Sequence, residues 1–155
     1  MKITEALLAE HVVFHNLFDY VEQVAPTLRQ LGEVKSLARL LEAMLAAHSA
    51  IEDEFLIEPL EHCFEQLGHR DTFHQEHELI ERHLALSQSS RRVSQARRSL
   101  LDAVLASRKH FDKEERLVFP MAETLLNQQT LTRLGNRWIK AAATQPTAKA
   151  FFAAS

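Results

Sequence analysis

Histidine and glutamate recur at one spacing in this chain. His48 and Glu52 stand four residues apart, as do His77 and Glu81, and His110 and Glu114; the first segment carries His11 and His15 at the same interval. Four helical residues turn the chain by about 400° and raise it by about 6 Å, so each pair shares one helix face. A neutral imidazole binds Fe, Zn, Cu or Mn through one nitrogen, and a carboxylate can bridge two cations while neutralising part of their charge. Helical bundles build dimetal sites from such side chains projecting inward. A single pair of this kind is usually a surface contact contributing ~0.3 kcal/mol. Four pairs, one on each long segment, point instead to a dimetal site. A donor set of nitrogen and oxygen without thiolate favours iron or manganese over structural zinc.

The pairs also fall at matching heights. His11 and His48 are 37 residues apart, and His77 and His110 are 33 apart. Two helical arms joined by a turn midway through each interval bring each pair level. The chain reads as a repeated helical hairpin, with an interval of 66 residues from His11 to His77 and 62 from His48 to His110. Ala9-Glu10-His11 corresponds to Gln75-Glu76-His77, and Glu52-Asp53 corresponds to Glu114-Glu115. Both second motifs run into an apolar stretch ending in proline, at Pro59 and at Pro120.

The elements that must position these residues follow from apolar periodicity. A first helix is expected over 4–24, capped by Thr4 and ended by Pro26 and Gly32. A second covers 34–67, with Pro59 kinking or splitting it. Gly68 suits its end and Asp71 the cap of a third helix over 72–86. Residues 87–90 form a turn, with Ser89 or Ser90 available to cap a fourth helix over 91–126. Thr130 caps a short fifth helix over 131–143, weakened by Gly135, whose Leu131, Leu134 and Trp138 cover part of a core. The expected fold is all-α: an up-down-up-down four-helix bundle over 1–128, then a short C-terminal fifth helix and tail over 129–155 packed on or near it. Phe14, Phe18, Phe55, Phe73, Phe111 and Phe119 are core candidates, and Phe151 and Phe152 after Pro146 are candidates to dock on the body or a partner.

Composition narrows the classes. The chain has 155 residues, enough for one domain with a sizeable core. Only three glycines and four prolines occur, too few for the many turns of a sheet-rich domain. Cys63 is the single cysteine, which excludes an intramolecular disulfide, a Cys-type zinc site or a Cys-ligated cluster within one chain. It reads as a buried small hydrophobe. A formal net charge of −3 gives no reason to expect nucleic acid, and no apolar run spans a bilayer. Met1-Lys2-Ile3-Thr4-Glu5 has no signal-peptide character, so a cytoplasmic location and no membrane partner are expected. Neither a nucleophilic triad nor a phosphate loop emerges.

His11, His48-x3-Glu52, His77 and His110-x3-Glu114-Glu115-x-Leu117-Val118-Phe119-Pro120 resemble the hemerythrin family, or HHE cation-binding domain, over about residues 3 to 126. The first half departs by one residue, because Pro59 lies one position later after Glu52 than Pro120 after Glu114; a π-bulge or early kink would absorb it. The resemblance implies a bundle holding two non-haem iron ions, oxo- or hydroxo-bridged, with manganese or zinc as alternatives. It implies Glu52 and Glu114 as bridging carboxylates and His11, His48, His77 and His110 as terminal imidazoles. Hemerythrins proper place one histidine on the first helix and an i, i+4 histidine pair on the third; here the arrangement looks exchanged. One iron would take His11, His15 and His48, the other His77, His110 and Glu81. The implied function is binding or sensing oxygen or a related small molecule. The alternatives are a di-iron enzyme acting on peroxide or nitric oxide, or an iron reservoir or sensor.

Two of those ligands have competing readings. Glu81 is equally read as an outer hydrogen-bond acceptor or surface group, and His15 can pair with Asp19 instead. His74 with Glu78 forms a further i, i+4 pair beside the His77 face, read as outer or exposed. His62, His69 and His83 read as surface residues, and Arg91, Arg92, Arg97 and Arg98 as a solvated basic face.

Overall fold

Apolar residues at helical spacing and the shortage of turn formers leave the chain one way to bury its surface, helix against helix. The computed structural model describes residues 1–60 and 70–144, with side chains at 1–60 and 74–141. The described residues form helices and no strand. α1 is Ile3–Val24, followed by a 3₁₀ turn at Ala25–Thr27, and α2 is Leu31–Glu52. A π-helical turn at Asp53–Ile57 continues α2. α3 is Arg70–Ser89 and α4 is Val93–Lys113, continued by a second π-helical turn at Glu114–Val118. α5 is Phe119–Leu125 and α6 is Gln128–Thr144. α3 packs along α4, α2 contacts both, and α1 lies against α4 and α6. No helix among the described residues is long and apolar enough to cross a membrane.

The helix ends differ from expectation in instructive ways. Thr4 is not the cap of α1: it lies inside the helix, buried, and its hydroxyl donates to Glu123 Oε1 at 2.7 Å. The Lys2 N–H is instead satisfied by the Glu5 carboxylate at 2.9 Å, and the Gln30 N–H at the start of α2 by Glu33 at 3.1 Å. Both acids also sit at the positive end of a helix dipole. α3 runs to Ser89, so the expected turn over 87–90 shortens, and Ser89 and Ser90 close the end of α3 on the Leu86 carbonyl rather than capping α4. Asn127, not Thr130, caps α6, its Oδ1 accepting from the Thr130 N–H at 2.8 Å.

Both prolines are answered by a π turn. Pro59 and Pro120 cannot donate to an i−4 carbonyl. The residue before each proline widens the ladder: Glu58 N–H donates to Asp53 O, and Phe119 N–H to Glu114 O. The wide turn opens one residue after Glu52 in the first half and at Glu114 itself in the second. That is the one-residue offset visible in the sequence.

The core is split by a polar layer. One cluster holds Phe14, Phe18, Leu41, Leu45, Leu84, Leu100, Val104 and Phe111, and the other Ile3, Leu7, Phe55, Leu56, Val118, Phe119, Leu131 and Leu134. Along α1, α2 and α4 the chain passes from one cluster to the other through His11, through His48 and Glu52, and through His110 and Glu114. Each fully buried large side chain contributes ~1.5–3 kcal/mol, so the two clusters fix the layer between them. Of the expected core phenylalanines, Phe14, Phe18, Phe55, Phe111 and Phe119 are buried. Leu131 and Leu134 of α6 are buried, and Trp138 packs on the same cluster. His62, Cys63, Gly68, His69, Pro146, Phe151 and Phe152, and the side chains of Asp71 and Phe73, lie outside the described residues.

Gly135 weakens the helix propensity of α6 but serves its packing. A Cβ there would run into the Met1 carbonyl oxygen and come within 2.9 Å of the Lys2 carbonyl carbon. Gly32, near the start of α2, has nothing within 4 Å. Gly135→Ala is expected to destabilise the protein by ~1–3 kcal/mol through overpacking. Gly32→Ala should stabilise it by ~0.5–1 kcal/mol through helix propensity. Urea unfolding of both variants checks the opposite signs.

Candidate metal centre

α1, α2, α3 and α4 each direct one histidine into the polar layer. His11 is 0% exposed, His48 and His110 2% each, Glu52 1% and Glu114 0%. His77 is the exception, with 11% of its side chain exposed. Their donor atoms converge in two groups: Glu52, His77, His110 and Glu114 form one, and His11, His48 and Glu114 the other, with all atoms of a group within 4.8 Å of one another. Glu114 belongs to both. Its Oε1 lies 2.7 Å from His110 Nε2, and its Oε2 lies 3.3 Å from His11 Nε2. Glu52 Oε2 stands between His77 Nε2 at 3.8 Å and His48 Nε2 at 4.0 Å.

The outward nitrogens say which atom each ring presents inward. His11 Nδ1 donates to Glu115 Oε1, His48 Nδ1 to Glu10 Oε2 and His110 Nδ1 to Glu76 Oε2, each at 2.9 Å. An ionised carboxylate only accepts, so Nδ1 carries a proton in these rings and Nε2 is the nitrogen turned inward. This is the carboxylate–histidine arrangement that orients metal ligands. The inward nitrogens then face one another, His11 and His48 Nε2 at 3.3 Å and His77 and His110 Nε2 at 2.7 Å. Two donor atoms bound at ~2.1 Å and a right angle on one cation sit ~3 Å apart, so this spacing suits ligands of a shared ion.

The carboxylates tell the same story. None of the four oxygens of Glu52 and Glu114, all buried, has a well-directed hydrogen-bond donor. Burying a carboxylate away from water costs several kcal/mol, and beside the imidazoles that meet Glu114 a cation would lower that penalty for both acids. Buried His/Glu groups that could hold a metal ion are therefore present, and their donors are nitrogen and oxygen alone. The walls are aromatic: Phe111 lies flat on His11 with centroids 3.9 Å apart, and Phe14 meets His48 edge-on at 5.3 Å.

Electrostatics divide the charge unevenly. Burial and the neighbouring Glu114 carboxylate push Glu52 well above the usual range. Burial also opposes ionisation of Glu114, but His11 and His110 overcome it and hold its carboxyl well below that range. His77 is driven down to about 4 by burial and the charge of His110. For His110, burial works downward, yet contacts with Glu114 and Glu76 raise it to about 9.

Two sequence candidates are not brought into the ligand groups. His15, its side chain 37% exposed, lies with Nε2 3.5 Å from Glu115 and Nδ1 3.3 Å from Arg108 Nη1. Its alternative partner Asp19 is taken by Arg108, which bridges α4 to Asp19 and Glu22 on α1. His15 thus backs Glu115, which in turn holds His11. Glu81 is exposed and stands on the wall of a cavity that reaches His77. His74 is exposed and His83 half-buried. Arg91, Arg92 and Arg98 are exposed, while Arg97 donates to the Pro26 carbonyl at 2.7 Å. The residues that spacing did not single out are Glu10, Glu76 and Glu115. Their signal was position: each is the acid next to a ligand candidate, at Glu10-His11, Glu76-His77 and Glu114-Glu115.

A proton on His110 must leave before Nε2 can bind a cation. Loading at pH 7 is therefore expected to release at least one proton per chain. Apparent affinity should rise about tenfold per pH unit for that proton up to about pH 9 and level above it. Calorimetric titration with zinc in two buffers of different ionisation heat reads the proton count, and a count of zero would contradict the arrangement.

No protein family matches the chain, and searches of curated proteins and of solved structures return no match either.

Proposed function

We propose that this chain is a hemerythrin-like protein, an up-down-up-down four-helix bundle that holds two non-haem irons and binds or senses oxygen or a related small molecule there. The observation that carries the reading is the pair of facing Nε2 contacts, each with a Glu114 oxygen beside it. Glu114 would serve both ions, with His11 and His48 on one and His77, His110 and Glu52 on the other. Glu52 also reaches toward His48 and can serve as a second shared carboxylate. Bound iron supplies a redox couple and open positions for a small oxygen- or nitrogen-containing molecule. The chain's own contribution is orientation and exclusion of water. Glu10, Glu76 and Glu115 lock three imidazoles, Lys113 fixes Glu76 at 2.9 Å, and Phe14 and Phe111 cover the inner side. Iron rather than structural zinc is favoured by the thiolate-free donor set.

Turnover of peroxide or nitric oxide is the second reading. Exposure of His77 beside a cavity favours it, since an enzyme needs solvent-side access for substrate and product.

Metal analysis of variants purified from iron-supplemented growth tests the ligand roles. Glu114→Ala should lose both ions, because both groups share it. His77→Ala should lose one and keep the other. Wild type should hold two irons per chain, with an absorption band in the near ultraviolet. Equal metal content in all three proteins would overturn the assignment.

A further inference from the structure

The two halves of the repeat fill their sides of the metal layer differently. On the His11 side, Phe111 stacks on His11, and the Arg108 guanidinium lies over Phe18, 5.5 Å from its centroid, and reaches His15. The corresponding positions in the first half, 62 residues earlier, are Ser49 and Ala46. Phe14 and Phe18 on α1 correspond, 66 residues on, to Ile80 and Leu84 on α3. Every exchange replaces a large side chain by a smaller one on the His77 side.

The space left is a cavity of about 550 Å³, lined by His77 and His110 and walled by Ala46, Ser49, Ile80 and Leu84, with Phe111 behind them. It explains why His77 alone among the four imidazoles is reached by solvent. A water molecule has a share of ~30 Å³ in the liquid, so a diatomic ligand needs a small part of this volume. Pockets for organic molecules run ~300–1,000 Å³, mostly apolar with a few placed polar groups. Here the apolar walls are joined by Ser49, the two imidazoles, and the charged groups of Glu42, Glu78, Glu81 and Arg82. An ionised ligand would lose its hydration against those walls.

We propose that this cavity binds a small uncharged organic molecule with an apolar body, its polar end directed to Ser49 and the His77–His110 end of the metal layer. The proposal rests on the metal reading above for what that polar end meets. Its size and polarity come from the unequal filling of the repeat.

Equilibrium dialysis of the metal-loaded protein against cyclohexanol and cyclohexanecarboxylate tests it, with metal content measured on the same samples. Saturable binding of one cyclohexanol per chain is expected, about tenfold tighter than the carboxylate. Ser49→Phe restores the bulk that Phe111 supplies on the other side, and Ala46→Leu narrows the same wall more gently. Either variant that folds should weaken cyclohexanol binding about tenfold or more at unchanged metal content. Non-saturable binding, binding unchanged in both variants, or equal binding of the carboxylate overturns the proposal. Wild type that binds cyclohexanol but holds no metal overturns the metal reading, and with it the placement of the ligand beside a centre. Metal without saturable cyclohexanol overturns the cavity proposal alone.

Discussion

The buried charge of Glu114 is the constraint to which the rest of this structure answers. A carboxylate with no exposed surface and no well-directed donor is unstable in a helical core unless a cation sits beside it. Two imidazoles, His11 and His110, approach its oxygens from different helices, and their outer nitrogens are committed to acids. These carboxylate oxygens and inward nitrogens form buried groups that could hold a metal ion. Two apolar clusters on either side hold this layer in place.

The local chain geometry serves the same layer. Each second helix passes its glutamate and then widens into a π turn, where the following proline forbids a normal bond. π turns concentrate at functional sites because they rotate the register of the side chains that follow. In this chain Glu52 stays inside regular helix, while Glu114 opens its wide turn. The halves diverge again beyond the layer: Phe111 and Arg108 close one side, and Ser49 and Ala46 leave the other open. The polar layer thus has a closed face on the His11 side and an accessible one on the His77 side.

Much of this was legible in the sequence, and the parts that were not have physical reasons. The i, i+4 pairs and their matched heights located His11, His48, Glu52, His77, His110 and Glu114, because a helix fixes which residues share a face. Spacing does not fix how far a helix is rotated, so it could not tell that His15 turns to Glu115 and Arg108 while Glu81 stands at a cavity wall. Periodicity gave the helices but not their caps. Thr4 is drawn inward by Glu123, and Asn127 reaches back to Thr130, both contacts set by packing after the helices form. Glu10, Glu76 and Glu115 hold rings on neighbouring helices rather than on their own, so their place beside a ligand candidate marked them but not which ring each holds. The one-residue shift of Pro59 suggested a π-bulge or an early kink in the first half alone, but both halves carry a π turn, and the shift marks only where the turn opens relative to the glutamate.

The most direct test of the central claim is X-ray absorption on the iron-loaded protein. Two cations sharing Glu114 predict a first shell of nitrogen and oxygen alone and a metal–metal scattering path at ~3.5–4 Å or less. A single isolated iron, a sulfur scatterer, or no metal–metal path would contradict the shared carboxylate on which the account stands.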